Sequence, residues 1–240
     1  RLPVVAISWL DALQASDKYN LWLRQHAAGK LPKEDGSLGF VRLPTEIEWE
    51  FAARSGLEVG TAEFRDGRYP MVEGLNGHEW FAGSQSANGQ LQLSGLLKPN
   101  PLGLHDILGN ADEMIFEPFR LNKLDRQHGQ AGGYVVRGGN YLTAQGDMRT
   151  ALRREEPYYN AQGQVKNKTT GLRLALVSPT LTSRERVASI ESSWKKLGSG
   201  TEDGAKDKGT VQALEALASG VEDQALKDQL KSLENQLRAS

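Results

Sequence analysis

The 240-residue chain contains no cysteine. That absence excludes disulfides, zinc held on thiolates and any cysteine nucleophile. It leaves the compartment open, because an exported protein can fold without disulfides. Long apolar runs are missing too: no stretch approaches the ~20 residues a helix needs to cross a bilayer. Charge of one sign is also lacking. Lys and Arg number 29 against 30 Asp and Glu, so no strong field recruits nucleic acid or an anionic membrane. No signal peptide is visible, and the chain opens at Arg1 without Met, so we expect a removed upstream segment. Glycine is in excess. Its 26 residues exceed the usual ~7% and predict a loop-rich fold with many tight turns. The length suffices for one large domain plus an appendage.

The stretch from Arg42 to Arg54, RLPTEIEWEFAAR, organises the rest. Thr45 and Glu48 have the spacing of a capping box, with Pro44 just outside the helix they start. Ile47 and Phe51 stand four apart with Ala52 beside them, a face suited to burial. Glu50 and Arg54 make an exposed pair, and Gly56 supplies a left-handed stop. Arg42 and Trp49 are large directional side chains at the start of this helix, suited to holding loops down onto it.

Upstream, Pro3 to Ser8 reads as a short strand, and Ser8 caps a helix reaching about His26. From Gly56 to about Pro101 no long periodic segment appears, and Phe64, Tyr69, Trp80 and Phe81 are the expected anchors of long loops. Asn100 to Phe116, NPLGLHDILGNADEMIF, spaces Asp106 and Glu113 seven apart around a Gly–Asn turn. Val135 to Tyr141 reads as a strand ending in a glycine pair, and Gly171 to Val177 as a last alternating strand. After Ser178–Pro179 the character changes. Residues 183–197 form a short amphipathic helix, 198–209 a flexible linker by composition, and two further helices split at Gly220. Leu226, Leu230, Leu233 and Leu237 make a stripe about two heptads long. Two readings of it stand: packing on the preceding tail helix, or a surface for a protein partner or for self-association.

Five pieces, PVVAISWLDAL, VRLPTEIEWEFAAR, GLHDILGNADEM, VVRGGNY and GLRLAL, occur in an order that resembles the formylglycine-generating enzyme (sulfatase-modifying factor) family. The resemblance covers residues 1–177, without the family's opening strands, and leaves 178–240 as a helical tail. It implies an α+β fold, loop-rich and related to C-type lectins. Oxidising members carry two cysteines after the glycine pair, which bind copper and handle the substrate thiol. Thr143 and Met148 fall at those positions, so no copper is expected and the chain resembles a pseudoenzyme. Asp112 and Met114 replace two tryptophans that flank the family's glutamate. Related iron enzymes use a histidine triad, whereas His26, His78, His105 and His128 lie far apart, each expected at the surface or in packing.

The resemblance also implies a structural calcium, with carboxylates from Asp106 and Glu113 and backbone carbonyls from Gly109 and Ala111; Asn88 matches a position feeding a second site. Hard oxygens at irregular spacing suit calcium. The plainer alternative has Asp106 capping a turn and Glu113 pairing an arginine such as Arg137. Non-catalytic members recur as bacterial accessory proteins. One setting is type VI secretion, where an exported protein of this fold promotes activation of a membrane threonine kinase. A non-enzymatic binding or regulatory protein is therefore expected, exported or periplasmic, with a kinase-pathway or secretion component as partner. Alternatives are a cysteine-free metal-dependent oxidoreductase and a lectin-like glycan- or peptide-binding module.

Overall fold

Ser8 and Thr45 start the two main helices of the first unit, by the same device. Ser8 Oγ accepts the Asp11 amide and the Asp11 carboxylate accepts the Ser8 amide, each at 3.0 Å. This closes the start of α1, Trp9–His26. Thr45 and Glu48 exchange the same bonds, at 3.3 and 2.8 Å, ahead of α2, Glu46–Ala53. Each box satisfies two amides that a helix start leaves orphaned. Arg42 forks onto the Glu48 carboxylate at 2.7 and 2.8 Å and holds its pKa down to about 2.

The computed structural model describes residues 1–123, 126–179 and 183–196. The chain divides into two units, Arg1–Thr182 and Ser183–Ser240. Between the helices of the first unit run β1, Lys33–Glu34, β2, Ser37–Leu38, and β3, Phe40–Arg42. A short α3, Thr61–Arg65, precedes a long loop stretch. Then come β4, Asp112–Lys123, β5, Arg126–Arg137, and β6, Arg153–Pro157. β7, Tyr159–Asn160, pairs with β8, Gly163–Gln164. β9, Thr170–Gly171, and β10, Ala175–Val177, end the unit.

The main sheet has the order β6-β5-β4-β9, antiparallel except for the β4–β9 pair. Antiparallel β10 and β3 form a separate ribbon, with Leu176 opposite Val41. Val41 also exchanges two 2.7 Å bonds with the Asn20 amide group on α1, so a side chain fills the ribbon's edge. One face of the main sheet packs Trp49, Ala53, Phe81, Ile107, Leu108, Ile115, Val135 and Met148. A second cluster joins Ala12, Leu43, Met114, Tyr134 and Val136, with Trp9 and Tyr158 against it. This is the α+β, loop-rich architecture expected.

Several local expectations are corrected. Pro3 to Ser8 is no strand: Val5 alone bridges to Gly171, and Ala6 turns to φ +58°, which breaks extended pairing. Gly171 to Val177 is two short strands, because residues 172–174 leave the ladder; Leu172 and Leu174 pack on the second cluster and Arg173 turns to Glu113. The buried face of α2 is not Ile47 and Phe51, which are 80% and 45% exposed, but Trp49 and Ala53. Both face the sheet, while Glu46 and Glu50 reach a buried arginine described below. Ser55, at φ +71°, takes the first left-handed position after α2, and Gly56 the second.

In the second unit, Ser183 Oγ accepts the Arg186 amide ahead of α4, Arg184–Lys196, on which Trp194 is exposed. The expected linker 198–209 and the stripe of Leu226, Leu230, Leu233 and Leu237 lie outside the described residues. Among the described residues no helix is long and apolar enough to cross a membrane.

Candidate functional site

The loop 100–111 delivers its residues to the start of β4, and two asparagines pin it. Asn100 Oδ1 accepts the Leu104 amide, and its Nδ2 donates to the Ala52 carbonyl at the end of α2, at 2.9 and 2.8 Å. Asn110 is 1% exposed. Its side chain pairs with the backbone of Gln92 as a strand neighbour would, at 3.0 and 3.1 Å. Its amide donates to the Trp80 carbonyl and its carbonyl accepts the Tyr141 amide. Three loops therefore meet on one residue, through its side chain and its backbone together, and periodicity could not single it out. Asp106 and Asn110 sit at φ +52° and +56°, a region that disfavours most L residues. Gly109, at φ +109°, is required: a Cβ there would lie 2.2 Å from the Trp80 carbonyl oxygen.

Glu113 is buried, and both its oxygens are taken. Trp49 Nε1 donates to Oε2 at 2.7 Å, and Arg173 Nε bridges both oxygens at 2.9 and 3.0 Å. Arg173 Nη2 adds a 2.7 Å contact to the carboxylate and donates to the His105 carbonyl at 2.9 Å. The pairing of Glu113 with an arginine is thus present, but the partner is Arg173. Arg137, opposite Glu113 in register, turns instead to Glu46 and Glu50 at 2.5 and 2.6 Å and lies over the Trp49 ring.

Asp106 Oδ2 accepts the Gly95 amide at 2.9 Å, whereas buried Oδ1 has no hydrogen-bond partner. Burial raises the Asp106 pKa, against the pull of the Gly95 amide. Asp106, Ala111, Glu113 and Arg173 line one cavity of about 370 Å³. Of the residues expected to hold calcium, Gly109 and Asn88 are not in that lining; Asn88 is exposed at a turn, its amide bound to the Gly83 carbonyl. The orphaned Oδ1 of Asp106 is the kind of hard oxygen calcium takes, and Ala111 lines the same cavity. Glu113 contributes charge across the cavity while held by Arg173. Among the described residues, no group of three His, Asp or Glu side chains forms a metal cluster.

The two positions expected to carry cysteines are closed. Thr143 Oγ1 accepts the Asn140 amide at 2.9 Å, and its carbonyl accepts the Ala82 amide. Met148 is fully buried in the first core cluster. Arg68 ties the loop between them, donating to the Met148 and Gln145 carbonyls at 2.5 and 2.7 Å. Asp112 and Met114, at the family's tryptophan positions, are buried as well. Asp112 binds Arg154 and the Asn140 amide group; burial raises its pKa, and these two partners draw it back. Of the histidines, His26 stacks on Trp22 at the surface, His105 Nδ1 lies 2.7 Å from the Leu97 carbonyl, and His78 is buried against Tyr69. The His128 side chain lies outside the described residues.

Comparisons with known proteins bear on the family and the fold. The chain is 31% identical over 182 residues to the serine/threonine-protein kinase pkn1 of Chlamydia pneumoniae, covering 72% of this chain and 24% of the kinase. It is 29% identical over 156 residues to the inactive C-alpha-formylglycine-generating enzyme 2 of Mus musculus, covering 63% of this chain and 42% of that protein. The chain therefore spans less than half the length of either relative. Among solved structures, Treponema denticola variable protein 1 superposes with a TM-score of 0.57 at 21% identity, over 73% of this chain and 71% of that one. CarF gives 0.52 at 23%, over 72% and 67%, and PvdO from Pseudomonas aeruginosa 0.52 at 19%, over 73% and 62%. These three similarities show the fold. Residues 1–177 match the sulfatase-modifying factor enzyme 1-like domain, and the chain belongs to that family.

Proposed function

We propose that the chain is a non-enzymatic binding and regulatory member of the family, acting in a protein-kinase pathway. The observation that carries the first half is the pair Thr143 and Met148. A thiolate is both the nucleophile and the metal ligand in cysteine chemistry, and neither a hydrogen-bonded Thr nor a core Met can form one. Similarity to a relative named as inactive supports the same reading. The second half rests on the kinase relative and on the family's setting in type VI secretion, where an exported accessory protein feeds a threonine-phosphorylation pathway. Calcium belongs to this reading as a structural ion held at Asp106. Its double charge would offset Asp106 and Glu113 and steady the loop 100–111.

The expected outcome of incubation with copper, oxygen and a sulfatase-motif peptide is no aldehyde above a buffer blank by mass spectrometry. Stoichiometric aldehyde overturns the non-enzymatic reading. The partner surface in this proposal is the leucine stripe from Leu226 to Leu237. Burying one leucine is worth ~1.5–3 kcal/mol, so four on one stripe call for a partner. Limited proteolysis is expected to cut 198–209 first and leave a core that melts within a few degrees of the full chain while losing association, read by size-exclusion light scattering. A core that unfolds on cleavage assigns the tail to the fold instead.

A further inference from the structure

Among the described residues, Glu79 is fully buried beside the first core cluster and no cation hydrogen-bonds to its carboxyl group. Its Oε1 accepts the Tyr69 hydroxyl at 2.6 Å, the Leu108 amide also donates to it, and its Oε2 is buried without a hydrogen-bond partner. The neighbours that carry or can carry charge are Tyr69, His78 beside it, and, through space, Asp106, Glu113 and Arg173. Three acids thus face one guanidinium, and that guanidinium is bonded to Glu113. Ionised, Glu79 would be a buried charge with neutral hydrogen-bond donors only, beside two other carboxylates. Such a charge costs several kcal/mol unless it is paired. A carboxyl group in that position keeps its proton, and Oε2 then carries a hydroxyl instead of an orphaned anionic oxygen.

We propose that Glu79 is a proton-holding residue, and that loss of its proton loosens the loops joined through Tyr69, Leu108 and the strand start at Asp112, making the domain sensitive to rising pH. The protonated carboxyl packs as a neutral group between the Tyr69 hydroxyl and the Leu108 amide. Ionisation leaves a fully buried charge whose one side-chain partner is the neutral Tyr69 hydroxyl, and the loops packed on it must open to let water in. Burial is the dominant cause of the upward displacement of the Glu79 pKa, with repulsion from Asp106 and Glu113 adding and the Tyr69 and Leu108 bonds opposing it. A raised folded pKa gives stability that is complete below the unfolded glutamate value, ~4.3, and is lost as pH rises through the folded value. The acid side has the opposite sign and other owners. Glu48, held at about 2, and Glu50, lowered by Arg137 and Arg54 against the effect of burial, contribute stability that is lost as pH falls.

The test uses the full chain in chelator, so that no metal takes part and its outcome is separate from the calcium reading. The melting temperature is followed from about pH 5 to about pH 8 for the wild type and for Glu79→Gln, which keeps the acceptor for Tyr69. The wild type is expected to lose stability across that range and Glu79→Gln to lose less; the contributions of Asp106, Asp112 and Glu156, whose pKa values burial also raises, decline alike in both. Parallel curves overturn the proposal. Carbon NMR of the Glu79 carboxyl, assigned through its own backbone amide, serves if the variant does not fold. A midpoint in the ordinary glutamate range overturns the proposal just as firmly, and one well above it supports it.

Discussion

Replacing Arg137 by alanine is expected to cost ~3–5 kcal/mol, the range for removing one partner of a buried ion pair. Arg137 is 2% exposed at the end of β5. Its Nη1 donates to Glu46, and its Nη2 donates to Glu50 and to the Thr150 carbonyl, at 2.5, 2.6 and 2.7 Å. The guanidinium carbon lies 5.0 Å from the Trp49 ring centre, an added attraction for a desolvated cation. Arg153 shares Glu46 from the neighbouring strand, at 2.6 and 3.0 Å. The guanidinium therefore ties α2, β5 and the loop before β6. Alanine leaves a cavity under Trp49 and two acids facing each other, one relieved by Arg153 and the other by Arg54. At ~2–4 °C per kcal/mol for a domain of this size, the melting temperature should fall by roughly 10 °C. Lysine should recover only part of this, because a point charge cannot serve three acceptors in a fork. A melting temperature within a degree of wild type for the alanine variant would falsify the assignment.

The second large effect expected is that of calcium. Binding only to the folded chain at ~100 times its dissociation constant adds ~2.7 kcal/mol, so chelation should lower the melting temperature by several degrees. Asp106→Ala should remove that response, because the free oxygen at the site is Asp106 Oδ1. Arg173→Ala separates two roles. If Arg173 merely holds Glu113, its loss frees a second carboxylate toward the cavity and the calcium response grows. If Arg173 anchors the loop through the His105 carbonyl, the variant loses stability with or without calcium. Identical melting curves for the wild type with and without chelator remove calcium from the proposed function altogether.

What could be read from sequence was what depends on near neighbours. Ser8 with Asp11 and Thr45 with Glu48 are three apart, so both helix starts were legible as spacing. The glycine pair after Arg137 was legible because both residues adopt positive φ, which other residues avoid. The buried face of α2 was not. Ile47 and Phe51 look like a core stripe, yet the face is chosen by what the sheet offers, and the sheet offers Arg137 to Glu46 and Glu50. The full lengths of β4 and β5 were obscured by Glu117, Pro118 and Arg120, which break the alternation where the register also shifts. The candidate site was legible as far as Asp106 and Glu113, which are carried by a recognisable run. Arg173 was hidden because an arginine between leucines in GLRLALV reads as the solvent side of a strand. Glu79 was hidden because its partner Tyr69 and its neighbours Asp106 and Glu113 come from separate loops.

The pairing of β3 with β10 has a consequence for how the chain acquires its shape. Val41 meets Leu176, Val5 meets Gly171, and the amide of Ser94 donates to the carbonyl of Arg1. Early residues of the first unit are thus completed by late residues of the same unit. During synthesis α1 and α2 emerge with their apolar faces bare and must wait until β4 and β5 are made, out to Arg137, before the main sheet can cover them. Closure of such distant pairs is slow compared with local helix formation, and the waiting surfaces are those on which chains stick together. The capping boxes at Ser8 and Thr45 need no such wait: each joins residues three apart, so both helix starts are specified before any strand of the main sheet is made.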